Sequence, residues 1–362
     1  MSLVKLVTVN FRNLTGNNVV FHPDNNFIIG DNGSGKSSLL EAIFFLGHGK
    51  SYRTTKLDNI VHYQQKKFVV SVKDAGDRQL GISRDFLTSS TDIKIDGQRI
   101  NRLSDLAKNI AVQIVTPESF KLFFGGAKER RRFIDLGLFH VKHEFASQWR
   151  DFSRVLKQRN ACLRAVNNHS MLDYWTDIFS EHSEIIAQYR MEYINSLVKE
   201  LKVWTDLLLP ELSDKINIQY LQGWHQKKEL IDVLRANKEK EVQYGFSLFG
   251  AQKFDVRFLL NRTSIDKLLS RGQQKLFLLA LTFAQAKLIA SVKRVKPILL
   301  IDDIGAELDI NSRTLLSTAI EQLDCQLIIT AIDKFVLKPL VSSNKNYKMF
   351  HVKHGEISAM SE

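Results

Sequence analysis

The clearest chemistry in this sequence lies in one run, Gly30-Asp31-Asn32-Gly33-Ser34-Gly35-Lys36-Ser37. It fits the pattern G-x-x-x-x-G-K-[ST], a loop whose backbone N–H groups cradle phosphate oxygens. Its glycines let the backbone approach closely, and a following helix offers unpaired N–H donors at its N-terminus. In such a loop Lys36 reaches the β- and γ-phosphates and the Ser37 hydroxyl holds Mg²⁺. Gly30 through Ser37, with Ser38 beside them, are the expected ATP-binding residues.

A second candidate is Asp302-Asp303, at the end of the apolar run Ile298-Leu299-Leu300-Ile301. A strand-end carboxylate orients Mg²⁺ from the side opposite the hydroxyl, which suits Asp302. Asp303 is then placed to polarise an attacking water or hold it in line. Outside this context, paired aspartates would read as a helix cap or turn. The third candidate is Ser270-Arg271-Gly272-Gln273-Gln274-Lys275. Ser270 and Gln273 have capping-box spacing, so the stretch starts a helix. The same hydroxyl, Gly272 and free N–H groups also suit a γ-phosphate. Because one nucleotide already has its own loop and helix, this second helix end is expected to serve a nucleotide on another subunit. That predicts an ATP-sandwiched homodimer.

These groups need rigid elements behind them. Phe27-Ile28-Ile29 reads as a buried strand before the loop, and the residues from Ser38 to Phe45 read as a helix after it. Residues 3–11 alternate as a strand, short strand signals recur from 68 to 116, and Asp96-Gly97 is a hairpin turn signal. From Phe145 to Val166 and from Leu172 to Leu208, apolar residues recur at helical spacing. The turn at 167–170 makes these an αα-hairpin arm, or alternatively core helices of a larger α domain. Residues 217–243 read as weakly helical. After Asp255 buried strands joined by helices return, at 298–301 and 326–329, and a hairpin at 348–355 finishes the pattern. The expected architecture is an α/β head of mixed sheets formed by both chain ends, residues 1–135 and 251–362. A helical arm, 136–250, is inserted between them.

Composition sets the wider limits. The 362 residues carry 51 Lys and Arg against 39 Asp and Glu, a net charge of +12 that favours polyanionic partners. Two cysteines, Cys162 and Cys325, have no metal-ligand spacing and fit a reducing compartment. The N-terminus lacks a signal-peptide pattern and no apolar run reaches membrane-span length, so a cytoplasmic location is expected.

The ordered motifs resemble the SMC-like ABC ATPases, and the RecF family most closely. The resemblance rests on the phosphate loop, the Ser-Arg-Gly-Gln-Gln-Lys signature, Ile301-Asp302-Asp303 and Ala306-Glu307-Leu308-Asp309. It extends to Leu46-Gly47-His48-Gly49 with Tyr52-Arg53, to Pro117-Glu118-Ser119-Phe120-Lys121-Leu122, and to the stretch from Gly125 to Asp135. Ala127, Ala306 and Gly250-Ala251-Gln252-Lys253-Phe254-Asp255 depart from that pattern. The resemblance implies an ABC-type head, a weak DNA-stimulated ATPase, and an ATP-bound dimer clamping duplex DNA near gap junctions; Asp303, one methylene shorter than glutamate, fits slow turnover. It also implies RecO and RecR as partners in loading the recombinase RecA. It makes Gln113 a candidate sensor of Mg²⁺ and water, and Arg12 a candidate nucleotide contact, each with a plain structural alternative. It puts Thr330 at the switch position. Lys128, Arg130, Arg131 and Arg132 either meet DNA phosphates or form a solvated, ion-paired helix face. A small-molecule kinase and a transporter-type ABC subunit are the rival readings.

Overall fold

The computed structural model describes residues 2–165, 170–293, 295–305, 308–341 and 346–360. Val166, the turn expected at 167–169, and the pair Ala306-Glu307 lie outside them.

The chain opens with a hairpin, β1 (Leu3–Phe11) and β2 (Leu14–Val20), then enters β3 (Asn25–Ile29) and, after the glycine-rich loop, α1 (Lys36–His48). A meander follows, β4 (Lys67–Asp74), β5 (Gln79–Asp85), β6 (Ser90–Ile95) and β7 (Gln98–Ile100). Then come α2 (Leu103–Ala107) and β8 (Val112–Val115). The middle holds α3 (Lys121–Phe124), α4 (Ala127–Val141), α5 (Phe145–Arg164) and α6 (Leu172–Leu208). They are followed by β9 (Ile216–Leu221), α7 (Leu230–Ala236), α8 (Lys238–Tyr244), β10 (Asp255–Leu260) and β11 (Thr263–Ser264). The last third holds α9 (Arg271–Ser291), β12 (Ile298–Ile301), α10 (Ile310–Glu321) and β13 (Gln326–Ala331). It ends with α11 (Lys334–Leu337), β14 (Tyr347–Lys353) and β15 (Glu356–Ala359).

Two compact units result. The first comprises Met1–Phe120, Trp204–Pro210 and Ser270–Glu362. Among the described residues it contains a six-stranded sheet ordered β2-β1-β4-β5-β6-β7 and another ordered β15-β14-β3-β13-β12-β8. The second sheet explains the apolar runs: every residue of β3, β12 and β13 is buried, as in parallel strands covered on both faces. Helix α1 packs on both sheets, and Phe11, Phe45 and Phe68 meet edge to face with ring centroids 5.4–6.1 Å apart. The buried Gln326 side chain joins the two ends of the chain. Its Nε2 donates to the carbonyls of Leu3 and His22, while its Oε1 accepts from the Leu3 N–H, all at 2.7 Å.

The second unit comprises Lys121–Val203 and Glu211–Leu269. Its boundaries lie at 120 and 270 rather than 135 and 251 because α4 and β10 are tied to the arm. Arg130 of α4 grips Asp255 of β10 with two bonds of 2.8 and 2.9 Å, and Asp135 of α4 pairs with Arg190 of α6. Helices α5 and α6 meet through stacked Phe152 and Phe179 and through buried Arg159, which donates to Thr176 and Glu241. Strand β9, Ile216–Leu221, takes up the start of the stretch 217–243 expected to be weakly helical, and pairs along its whole length with β10. The alternation of Ile216, Ile218 and Tyr220 was its signal. Within the basic run, Arg130 and Arg132 are ion-paired, with Asp255 and Glu129, and Arg131 donates to the Phe254 carbonyl. Among the described residues no helix is long and apolar enough to cross a membrane.

Candidate functional site

Sheet order brings the separated motifs together. β13 lies between β3 and β12, so the loop leaving β3, the end of β13 and the end of β12 share one sheet margin. The glycine-rich loop follows β3, Asp302 follows β12, and Thr330 stands near the end of β13.

The loop wraps tightly around the Lys36 ammonium, which donates to the carbonyls of Gly30 at 2.5 Å and Asp31 at 2.9 Å. Lys36 is only 8% exposed. Burial lowers its pKa from the ordinary lysine value, against the opposing pull of Asp302, Asp303 and Asp31. Gly30 has φ of 153°, and a Cβ there would collide with the Val352 carbonyl, so β14 sets how closely the loop is packed. The Gly355 N–H holds the loop from the same hairpin by donating to the Ser34 carbonyl at 2.8 Å. The buried Ser34 hydroxyl has no protein partner. An enclosed lysine, an unpartnered hydroxyl and a helix N-terminus are the donors that a polyphosphate needs, so the loop fits the ligand its sequence implies.

Above the loop is a cleft of about 660 Å³, within the usual size range for a small-molecule ligand site. Asn32, Gly33, Gly35, Lys36, Ser37 and Ser38 line it, with Asp302 and Asp303 across from them. Ser37 Oγ lies 3.1 Å from Asp302 Oδ1, and that same oxygen accepts from the Thr330 hydroxyl at 2.7 Å. A hydroxyl and a carboxylate oxygen in contact beside the loop are the ligand types a hard divalent cation takes. Asp303 has φ of 52°, a left-handed conformation costing a non-glycine residue about 1 kcal/mol. Thr330 Oγ1 accepts from its N–H at 2.9 Å, and Lys275 Nζ donates to its carbonyl at 2.9 Å.

Ser270 caps α9 as its spacing predicts. Its hydroxyl accepts from the Gln273 N–H, and the Gln273 side chain accepts from the Ser270 N–H. Ser270 is exposed and Gly272 half-buried, and neither they nor Gln273 line the cleft. Ser270 and Arg271, at the start of α9, are thus exposed to solvent in the single chain.

Gln113 and Arg12 are placed differently with respect to the cleft. Gln113 does not reach the cleft. It sits inside β8 opposite Leu299, two residues short of the strand end, and donates to the buried Gln285 side chain at 2.8 Å. Arg12 does line the cleft, but its guanidinium is committed to Glu41, with bonds of 2.9 and 2.7 Å. Glu41 was not legible as a site residue. It is fully buried on α1 and also accepts from Ser51 and Arg53. A charged residue inside the apolar run of α1 was the available signal. Nearby, the Tyr52 hydroxyl donates to the Ser37 carbonyl at 3.1 Å. Burial and the nearby carboxylates Asp302 and Glu41 raise the Tyr52 pKa well above the phenol range, so it stays a donor.

The family described as RecF/RecN/SMC N terminal domain matches residues 2–358. A relative from Colwellia psychrerythraea, named DNA replication and repair protein RecF, is 60% identical over 99% of this chain and 97% of its own length. The chain belongs to the RecF family. A RecF from Haemophilus influenzae is 37% identical over the full length of both chains. Among solved structures, one described as the recombination mediator protein RecF-ATP in the RecFOR pathway superposes with a TM-score of 0.84. It is 22% identical, covering 99% of this chain and 98% of that one. An SMC head bound to the winged-helix domain of ScpA superposes at 0.60 with 15% identity, covering 100% and 98%. The fold is therefore that of the RecF and SMC heads, as the motif order implies.

Proposed function

We propose that this RecF-family chain is an ATP-dependent DNA-binding protein of recombinational repair whose slow ATPase acts as a release switch. The observation that carries the reading is the contact between Ser37 Oγ and Asp302 Oδ1 at the mouth of an enclosed-lysine loop. Lys36 neutralises β- and γ-phosphate oxygens, and the loop N–H groups hold them in register. Ser37 and Asp302 are the residues that would hold Mg²⁺, which supplies charge neutralisation on the phosphates. Asp303 faces the cleft and orients a water for in-line attack, accepting its proton as ADP and phosphate form. With one methylene fewer than glutamate, it fits slow turnover.

The exposed start of α9 supports a second role. In a dimer, Ser270, Gly272 and Gln273 present a hydroxyl and helix N–H groups to the γ-phosphate held by the partner subunit. Closure of two heads would bring two copies of a chain carrying a +12 charge around duplex DNA at gap junctions. A solved relative is described as belonging to the RecFOR pathway, which favours RecO and RecR as partners. The ordinary composition and the absence of a membrane-length helix among the described residues accord with a cytoplasmic protein.

Sedimentation of purified protein with and without ATP and Mg²⁺, alone and with a gapped duplex, tests this. Wild type should become a DNA-bound dimer with ATP. Ser270→Arg should bind nucleotide yet remain monomeric, and Lys36→Arg should lose turnover. A wild-type protein that binds ATP but stays monomeric and ignores DNA would overturn the clamp and point to an acceptor substrate.

A further inference from the structure

The signature stretch is read above for its exposed end, but its last residue points the other way. Lys275 is 4% exposed, and its ammonium donates to the carbonyl of Asp303 at 2.9 Å. Asp303 holds φ of 52° without being glycine. A strained residue persists only where its surroundings fix it on several sides. Here Thr330 Oγ1 takes the Asp303 N–H, the Thr330 carbonyl takes the Ile304 N–H at 3.1 Å, and Lys275 takes the Asp303 carbonyl. Thr330 also donates to Asp302, which contacts Ser37. An unbroken set of hydrogen bonds thus runs from the first turns of α9 to the phosphate loop of the same chain.

We propose that Lys275 is a positioning residue that holds Asp303 in its left-handed conformation, so that the α9 end of each chain sets the water-orienting carboxylate of its own cleft. The role assigned to Asp303 rests on the ATPase reading; the backbone restraint does not. Lys275 lies two residues, about half a turn, beyond Gln273, so a phosphate docking on the Ser270 end acts on the same helix that carries the ammonium fixing Asp303. Hydrolysis in one cleft thereby responds to occupancy of the α9 end facing the partner subunit.

The test uses the full chain with Lys275→Met, which keeps an unbranched stem and removes the donors, and with Lys275→Arg. Lys275→Gln, whose side chain is too short to reach, stands in if the methionine variant does not fold. In nucleotide-free protein, deuterium uptake by segment 302–305 should rise about tenfold in Lys275→Met while the phosphate loop is unchanged. ATP affinity should stay within about twofold while turnover falls about tenfold or more, and Lys275→Arg should recover part of both losses. Unchanged exchange at 302–305 in a folded variant overturns the proposal, whatever the protein does with ATP. So does faster exchange accompanied by wild-type turnover. A wild type without ATPase activity would instead sink the functional reading, and the exchange result would still decide whether Lys275 holds Asp303.

Discussion

Arg12 shows how one side chain can sit beside a ligand cleft and serve mainly the scaffold. Its partner Glu41 is fully buried, whereas Arg12 is 18% exposed and the second partner, Arg53, is 42% exposed. Removing Arg12 takes the two-bonded partner from a carboxylate held away from water, so Arg12→Ala should cost about 3 kcal/mol in urea unfolding. Arg53→Ala, at 3.4 Å and near the surface, should cost less than about 1 kcal/mol. Equal losses would remove Arg12 from that role. His140 gives a pH prediction. Burial depresses its pKa from 6.5 to about 4, so it stays neutral in the fold while the unfolded chain protonates near 6.5. The unfolded state therefore binds more protons as pH falls through that window, and stability declines, by at most about 3 kcal/mol. Denaturation from pH 7 to pH 4 should show that decline, and His140→Phe should flatten it.

At the scale of elements, the capping box of α9 has a stability role separable from any role in trans. Ser270→Ala should lower stability by about 1 kcal/mol, measured by chemical denaturation, whether or not nucleotide is present. The site elements that could be read from the sequence are those whose evidence is contiguous. The phosphate loop needed eight adjacent residues, and Asp302 followed a run of four apolar ones. The α9 cap was legible for the same reason. What stayed hidden depends on register and on distant partners. Gln113 looked suitable by type, yet its level on β8 puts it against Gln285. β9 is short and polar in part, and it becomes a strand only because β10 pairs with it from far along the chain. Lys275 and Thr330 gained their roles from a turn that no local pattern announces.

For the whole molecule, the charge of +12 predicts association with duplex DNA that weakens steeply with salt. The logarithm of affinity should fall linearly with the logarithm of salt concentration, with a slope steeper than about −4. Arg130→Ala should leave that slope unchanged while costing about 1–2 kcal/mol of stability, because Arg130 is bound to Asp255. A loss of one unit of slope would instead mark it as a phosphate contact. The two-ended head was foreseeable from where apolar strands resume, but the placement of β3 between β13 and β14 was not. That placement imposes an order on biosynthesis. The glycine-rich loop emerges from the ribosome long before its neighbours Val352 and Gly355. A message cut short before the codon for Tyr347 yields a product without β14, and so without the Val352 and Gly355 contacts that pack the loop.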